Sequence, residues 1–275
     1  MKKQFLAKAT TLSILSLSLL LPGTSYAYAN VTNGTSSYAS YEMASSRSSS
    51  NELELMKNDI KNLLEENLEG SSRNFDEMSK FVSPGDIEFI HHIIELKKEK
   101  PQLTPEEIVG MVFTNHDNVQ TRGLLSEAGQ SWNNLTTDEK WLVAMYPAEA
   151  LIVNAAKNNT DALTNSYYPG WKDGDKGNAF RHALWNAIMA LNITKNLAEK
   201  FATAHENHGL TDDQYRAEVW NGFNGLQHRA MDLHNNGKGR DCVSWYEIPY
   251  AVSNTDLAER VQTKINNGEM IILKK

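Results

Sequence analysis

The stretch "HRAMDLHNNGKGR", residues 228–240, holds two histidines, an aspartate and two asparagines, with an arginine following across two glycines. Imidazole and carboxylate groups at that density suit a divalent metal such as zinc, or proton transfer at a reacting atom. A second stretch, "GNAFRHALWNAIMAL", spaces Asn178, His182 and Asn186 four residues apart. On a helix they form one polar stripe, while the surrounding positions are apolar on more than one side. Such a helix is central and buried, and its polar groups need partners. A third, "KNLAEKFATAHENHG", turns Leu197, Phe201 and Ala204 inward with His205 at the edge. Glu206 points to the opposite side unless the helix unwinds there. His208, next to Gly209, suits the negative end of that helix.

The remaining ligands depend on how the 228–240 stretch is folded. A helix over roughly 219–233 would bury Val219, Phe223, Leu226, Ala230 and Leu233. His228 and Asp232, four apart, would share the opposite face as metal ligands or as an ordinary side-chain pair. His234 falls about 160° from Asp232 on a regular helix. The two meet only if the helix ends near Leu233, an ending favoured by Asn235, Asn236, Gly237 and Gly239. The released turn would bring His234 and Asn235 round to Asp232, with Arg240 as an anion clamp.

These elements imply His182, His205, Asp232 and His234 as ligands for zinc or another divalent metal. Asn186 and Asn235 would orient substrate or water, and Arg240 would stabilise developing negative charge. Metal-activated water attacks phosphodiesters, esters or amides. The competing reading is a non-catalytic exported binding module, in which the same side chains form a buried network that fixes helix packing. A third is a metal-free hydrolase or lyase with His182 or His234 as general base. Cys242, the only cysteine, excludes an intrachain disulfide and four-cysteine zinc sites, and has little around it to suggest a nucleophile.

The elements that must position these groups are helical. Apolar residues recur at helical spacing in "NELELMKNDIKNLLEENL" and "GDIEFIHHIIELKKEK". Thr104 with Glu107 and Thr136 with Glu139 form capping boxes, Pro105 and Pro147 begin helices, and Thr194 and Thr211 are further starts. Few segments alternate with period two, and only "EMIILKK" suggests a short strand. The expected fold is all-α, a bundle around the helix that carries His182. An N-terminal helical region, 51–125, would precede a C-terminal helical domain, 126–275, that carries five of the eight histidines.

The first 29 residues read as a signal peptide. Lys2, Lys3 and Lys8 precede a Leu/Ser-rich run to Leu21, and Ala27-Tyr28-Ala29 fits a cleavage site. Residues 30–50, rich in Ser, Thr and Asn, read as a flexible leader. The expected product is secreted from a Gram-positive-like cell, with no membrane span after cleavage. Removing three lysines would shift the net charge from -7 to about -10, which gives no signal for nucleic-acid binding.

"TTDEKWLVAMYPAEALIVNAA", "GWKDGDKGNAFRHALWNAIMA", "FATAHENHG" and "RAMDLHNNGKGR" together resemble an uncharacterised bacterial family of exported and toxin-associated domains, over about residues 131–250. The resemblance implies an all-α fold and a site drawn from three motifs: His182 and Asn186; His205 and Glu206; Asp232, His234, Asn235 and Arg240. The family carries no assigned activity; the hydrolase reading of the site extends to an antibacterial effector acting on an unknown substrate, with an immunity or cell-envelope partner. Thr203 stands where the family often carries Asp. More loosely, the helical, His/Asp-rich architecture looks like zinc-dependent phospholipase C and single-strand nucleases.

Overall fold

A computed structural model of the chain describes residues 50–67, 74–114, 128 and 130–274. The expected signal peptide and almost all of the expected leader lie outside these residues, as does the boundary near residue 125. The first helices are α1 (Ser50–Asn67), α2 (Phe75–Met78), α3 (Pro84–Glu99) and α4 (Pro105–Val109), the last continued by a π-helical turn at Gly110–Thr114. Then come α5 (Gln130–Asn133), α6 (Thr137–Met145), α7 (Pro147–Tyr167), α8 (Lys176–Ile193), α9 (Lys195–His205) and α10 (Asp212–Ala217). A hairpin of β1 (Val219–Trp220) and β2 (Phe223–Asn224) leads into α11 (Gly225–Arg240), and α12 (Asn254–Asn266) follows. The fold is all-α.

Side-chain caps set where these helices begin. Thr104 with Glu107 and Thr136 with Glu139 close the expected boxes, and Ser83–Asp86, Thr211–Gln214, Asn224–Gln227 and Ser253–Asp256 repeat the device. Each satisfies backbone N–H groups that have no partner inside the helix. Asp175 caps α8 by accepting from the Asn178 N–H, so "DGDKGN" is the turn into the buried helix. Thr194 serves α9 in the same way at φ 90, a strained conformation for a β-branched residue.

The α8 helix is the axis of the fold. It packs against α7, α9, α11 and α12, and nearly every side chain from Gly177 to Ile193 is buried. Phe180, Leu184 and Ile188 are fully enclosed, each worth about 1.5–3 kcal/mol of apolar burial. One apolar core runs from Ile60 on α1 through Phe89 on α3 to Met270 beyond α12. Helices on both sides of residue 125 contribute to this one core.

The α11 helix differs from its sequence-based expectation. Residues 219–224 form the hairpin, whose Asn221-Gly222 turn takes positive φ at both positions, and the helix runs on to Arg240. Its buried residues are Gly225, His228, Met231, Asn235, Asn236 and Gly239, whereas Ala230 is exposed and Leu226 and Leu233 are only half-buried. The polar face, and not the apolar one, is turned toward α8. Gly239 permits this contact, since a Cβ there would collide with the Ala183 carbonyl. The segment Glu269–Lys274 forms no strand ladder but is held to the fold, with Leu273 N–H donating to the Gly174 carbonyl at 2.9 Å.

Gly239→Ala is expected to lower stability by about 1–3 kcal/mol in chemical denaturation, the usual cost of overpacking. Gly237→Ala, whose Cβ would meet nothing closer than Arg240 at 3.8 Å, is expected to be neutral or stabilising. Equal effects of the two substitutions would contradict the close approach.

Glu149, on α7, offers a second test. Its Oε1 accepts from Asn67 at 3.1 Å, while its buried Oε2 has no partner among the described residues. Burial raises its pKa against the hydrogen bonds and the charge of Lys97. The folded state thus holds this proton more tightly than the unfolded chain. Its penalty is absent below about pH 4.3, the ordinary glutamate value, and appears as pH rises through the folded value. Glu149→Gln is expected to gain about 1 kcal/mol at pH 7 and nothing near pH 4, as read by calorimetry.

Candidate functional site

The polar stripe of α8 and the polar face of α11 meet, and the end of α9 joins them. His182 Nε2 lies 3.3 Å from Asp232 Oδ1, and His182 Nδ1 lies 3.4 Å from Glu206 Oε1. Neither approach is aligned as a hydrogen bond, so buried His182 Nδ1 and Asp232 Oδ1 are left without a partner among the described residues. His182 and Glu206 are buried, and the Asp232 side chain is 13% exposed.

Glu206 lies one turn beyond buried Ala202, on the same side of α9. It caps that helix with its backbone still in the helical region, and its N–H donates to the Ala202 carbonyl at 3.3 Å. Its carbonyl accepts from the Tyr215 hydroxyl and from Arg229 Nε, both at 3.1 Å. The preceding turn is fixed by Thr136 Oγ1, which donates to the Ala204 carbonyl at 2.9 Å.

The three groups perturb one another. Burial works against the Glu206 carboxylate, but the facing His182 outweighs it and holds the group down to about 2. Burial pushes Asp232 up to about 6; His182 opposes the rise and Glu206 adds to it. Burial disfavours the His182 cation, yet the two carboxylates raise its pKa overall. One imidazolium between two carboxylates leaves a surplus negative charge in a buried place, which is costly.

A further layer surrounds Glu206. Asn236 Nδ2 approaches its Oε1 at 3.4 Å, Asn186 Nδ2 donates to Asn236 Oδ1 at 2.7 Å, and Arg240 donates to Asn186 Oδ1 at 2.8 Å. Of the residues singled out from the sequence, His182, Asn186, Asp232 and Arg240 are thus brought together with Glu206. His205 is not among them: its Nδ1 sits 2.8 Å from Glu139 Oε1, and its ring meets the edge of Trp185. His234 stays on the far side of α11, because that helix does not end at Leu233, and its Nε2 meets the Glu269 carbonyl at 3.0 Å. Asn235 exchanges two hydrogen bonds with the Ile271 backbone, at 2.9 and 3.0 Å, and so holds the C-terminal segment. His228 stacks on Trp220 and reaches its carbonyl at 3.3 Å. His208 and Thr203 are exposed. Cys242 is buried, and burial pushes its thiol up to about 11, the reverse of an activated nucleophile.

One donor atom each from His182, Glu206 and Asp232 lies within 4.8 Å of the others. Two ligands at zinc–oxygen bond lengths from one ion are at most about 4.4 Å apart, and the two carboxylates face different ring nitrogens of His182, so binding one ion would take a side-chain rotation as well as closure. The set fits a divalent cation in charge as well, since two carboxylates and a neutral imidazole balance it. A second group, Asp59, His91 and Glu95, is at the surface, where Lys98 bonds Glu95 at 2.9 Å. No helix among the described residues is long and apolar enough to cross a membrane.

A family described as a domain of unknown function (DUF6973) matches residues 140–269, a span that contains the triad, Asn186, Asn236 and Arg240. No curated protein and no solved structure matches the chain.

Asn235→Ala is expected to cost about 1–3 kcal/mol, because it removes two hydrogen bonds to the Ile271 backbone. Amide exchange at Ile271 should accelerate in the same variant, and an unchanged exchange rate there would contradict the anchoring role.

Proposed function

We propose that this chain is an exported, metal-assisted hydrolase whose centre is His182, Glu206 and Asp232, acting on a phosphodiester, ester or amide bond. The observation that carries the reading is the pair of buried ligand atoms without a hydrogen bond, His182 Nδ1 and Asp232 Oδ1, in a cluster with a surplus negative charge. Native interiors seldom leave such atoms unsatisfied unless an ion, a water or a substrate completes them.

In this reading His182, Glu206 and Asp232 hold the ion. When bound, the ion supplies Lewis-acid polarisation and a more acidic water. Asp232, the most exposed of the three, lies at the side from which a substrate would approach. Asn236 orients Glu206 and is joined through Asn186 to Arg240, so those groups support the centre from behind. Secretion and an antibacterial role, with an immunity or cell-envelope partner, remain part of this proposal on the strength of the N-terminal sequence and the family resemblance. The competing reading, a non-catalytic module with a buried polar network, draws on the same hydrogen-bonded layer and on the low exposure of the triad.

The test is metal content. The chain lacking residues 1–29, purified without a histidine tag, is expected to carry near-stoichiometric divalent metal by elemental analysis. His182→Ala and Asp232→Ala should each weaken binding more than about 100-fold, beyond the loss typical of a supporting residue. His205→Ala and His234→Ala should retain the ion. A wild-type protein that takes up no zinc or manganese, and melts at the same temperature with and without chelator, would overturn the metal centre. Bound metal with no turnover on phosphodiester, ester and amide panels would leave a metal-binding module in place of an enzyme.

A further inference from the structure

Arg240, read from the sequence as a clamp for a substrate anion, is turned toward the interior of the site. One terminal nitrogen donates to Asn186 Oδ1 at 2.8 Å, and the other lies 3.2 Å from Glu199 Oε1. A guanidinium has donors and no acceptor. It therefore dictates which end of the Asn186 amide faces it: the oxygen. The Asn186 nitrogen must then point the other way, where it meets two acceptors, the His182 carbonyl at 3.2 Å and Asn236 Oδ1 at 2.7 Å. With its oxygen occupied, Asn236 has only its nitrogen left for Glu206 Oε1, at 3.4 Å. An isolated asparagine pair could flip together and present an oxygen to that carboxylate. With Arg240 at the head of the chain, the flipped arrangement sets a carbonyl oxygen against Glu206 and leaves the guanidinium facing an NH2 group.

We propose that Arg240 is a positioning residue which, through the aligned amides of Asn186 and Asn236, holds a hydrogen-bond donor against Glu206 at the centre. The geometry is suited to this role. Asn186 and Asn236 are 0% and 1% exposed, so water cannot replace either amide. Glu199, on the outer side, holds the guanidinium in place from the surface. The three links come from two helices, α8 and α11, and end on the residue that caps α9. The chain thus couples the α8–α11 contact to the one triad member that comes from a helix end.

The metal arm of the test rests on the proposed centre; the stability arm does not. In the first, zinc affinity is measured by competition with a chromogenic chelator for wild type, Arg240→Met and Arg240→Lys. Arg240→Met is expected to weaken binding about 10–100-fold, the range for residues that orient a ligand, and Arg240→Lys, which restores a donor, to recover most of the loss. Unchanged affinity in Arg240→Met would overturn the proposal. In the second, Arg240→Met, Glu206→Gln and the double variant are melted in chelator. If Arg240 acts on the Glu206 carboxylate, the melting-temperature loss from Arg240→Met should be at least halved once residue 206 is Gln. A residue that merely braces the helix surface would cost the same in both backgrounds, since separated sites without shared partners add. Additive losses would overturn the proposal even with metal bound. Coupling in a wild type that binds no zinc would retain the relay while the metal centre fell.

Discussion

The interaction on which the rest depends is the close approach of α8 and α11 at Ala183 and Gly239. Most helix pairs bury apolar faces and leave polar groups to solvent. Here the distance is set by a glycine lying on a carbonyl, and the faces pressed together carry His182 and Asn186 on one side and Asp232, Asn235 and Asn236 on the other. Polar groups buried there need partners. Most have them: Asn186 uses both ends of its amide, and Asn235 does the same with the Ile271 backbone. The exceptions cluster at one point, on His182 and Asp232. Between these two helices the amides are answered, while two ligand atoms are left without a hydrogen bond 3.3–3.4 Å from opposite charges.

Much of the scaffold was legible because helix caps and buried helices are local signals. Thr104–Glu107 and Thr136–Glu139 announce their helices within four residues, and the all-round apolarity of 177–191 marks a central element whatever surrounds it. The reading of α11 failed for a physical reason. Its apolar positions were assigned to the core by the usual rule, but the partner helix offers a polar stripe, and Asn186 and His182 on that stripe meet Asn236 and Asp232 of α11. The signals that could have corrected it were present. Asn221-Gly222 between Val219-Trp220 and Phe223-Asn224 is a hairpin turn, and Asn224 with Gln227 is a capping box that starts the helix six residues later than expected. Continuing past Leu233, the helix keeps His234 away from Asp232 and brings Asn236 toward Glu206.

Glu206 illustrates the complementary difficulty. Leu197, Phe201 and Ala204 alone define too narrow an inward face; Ala198 and Ala202 are buried as well, and they widen it until Glu206, one turn after Ala202, falls at its edge. What settles the end here is tertiary: Tyr215 and Arg229 both take the Glu206 carbonyl, groups from α10 and α11 that no local pattern reveals. His205, the more obvious candidate beside it, is drawn to Glu139 instead.

That last contact gives the upstream helices a part in the site. Glu139 is at once the closing residue of the box that starts α6 and the partner of His205, while Thr136, at the head of the same box, holds the Ala204 carbonyl. The α6 N-terminus therefore grips the last turn of α9 at two points, immediately before the chain turns Glu206 inward. The other end of α6 is held as well, by Lys97 of α3, which donates to the Ala144 and Met145 carbonyls at 2.8 and 2.7 Å. Thr136 and Glu139 fall just before the span matched by the domain family, and Lys97 well before it. The carboxylate that completes the triad is thus aimed by a frame that reaches back through α6 to α3. The preceding helices are part of what sets its position, rather than a separate covering laid over a finished site.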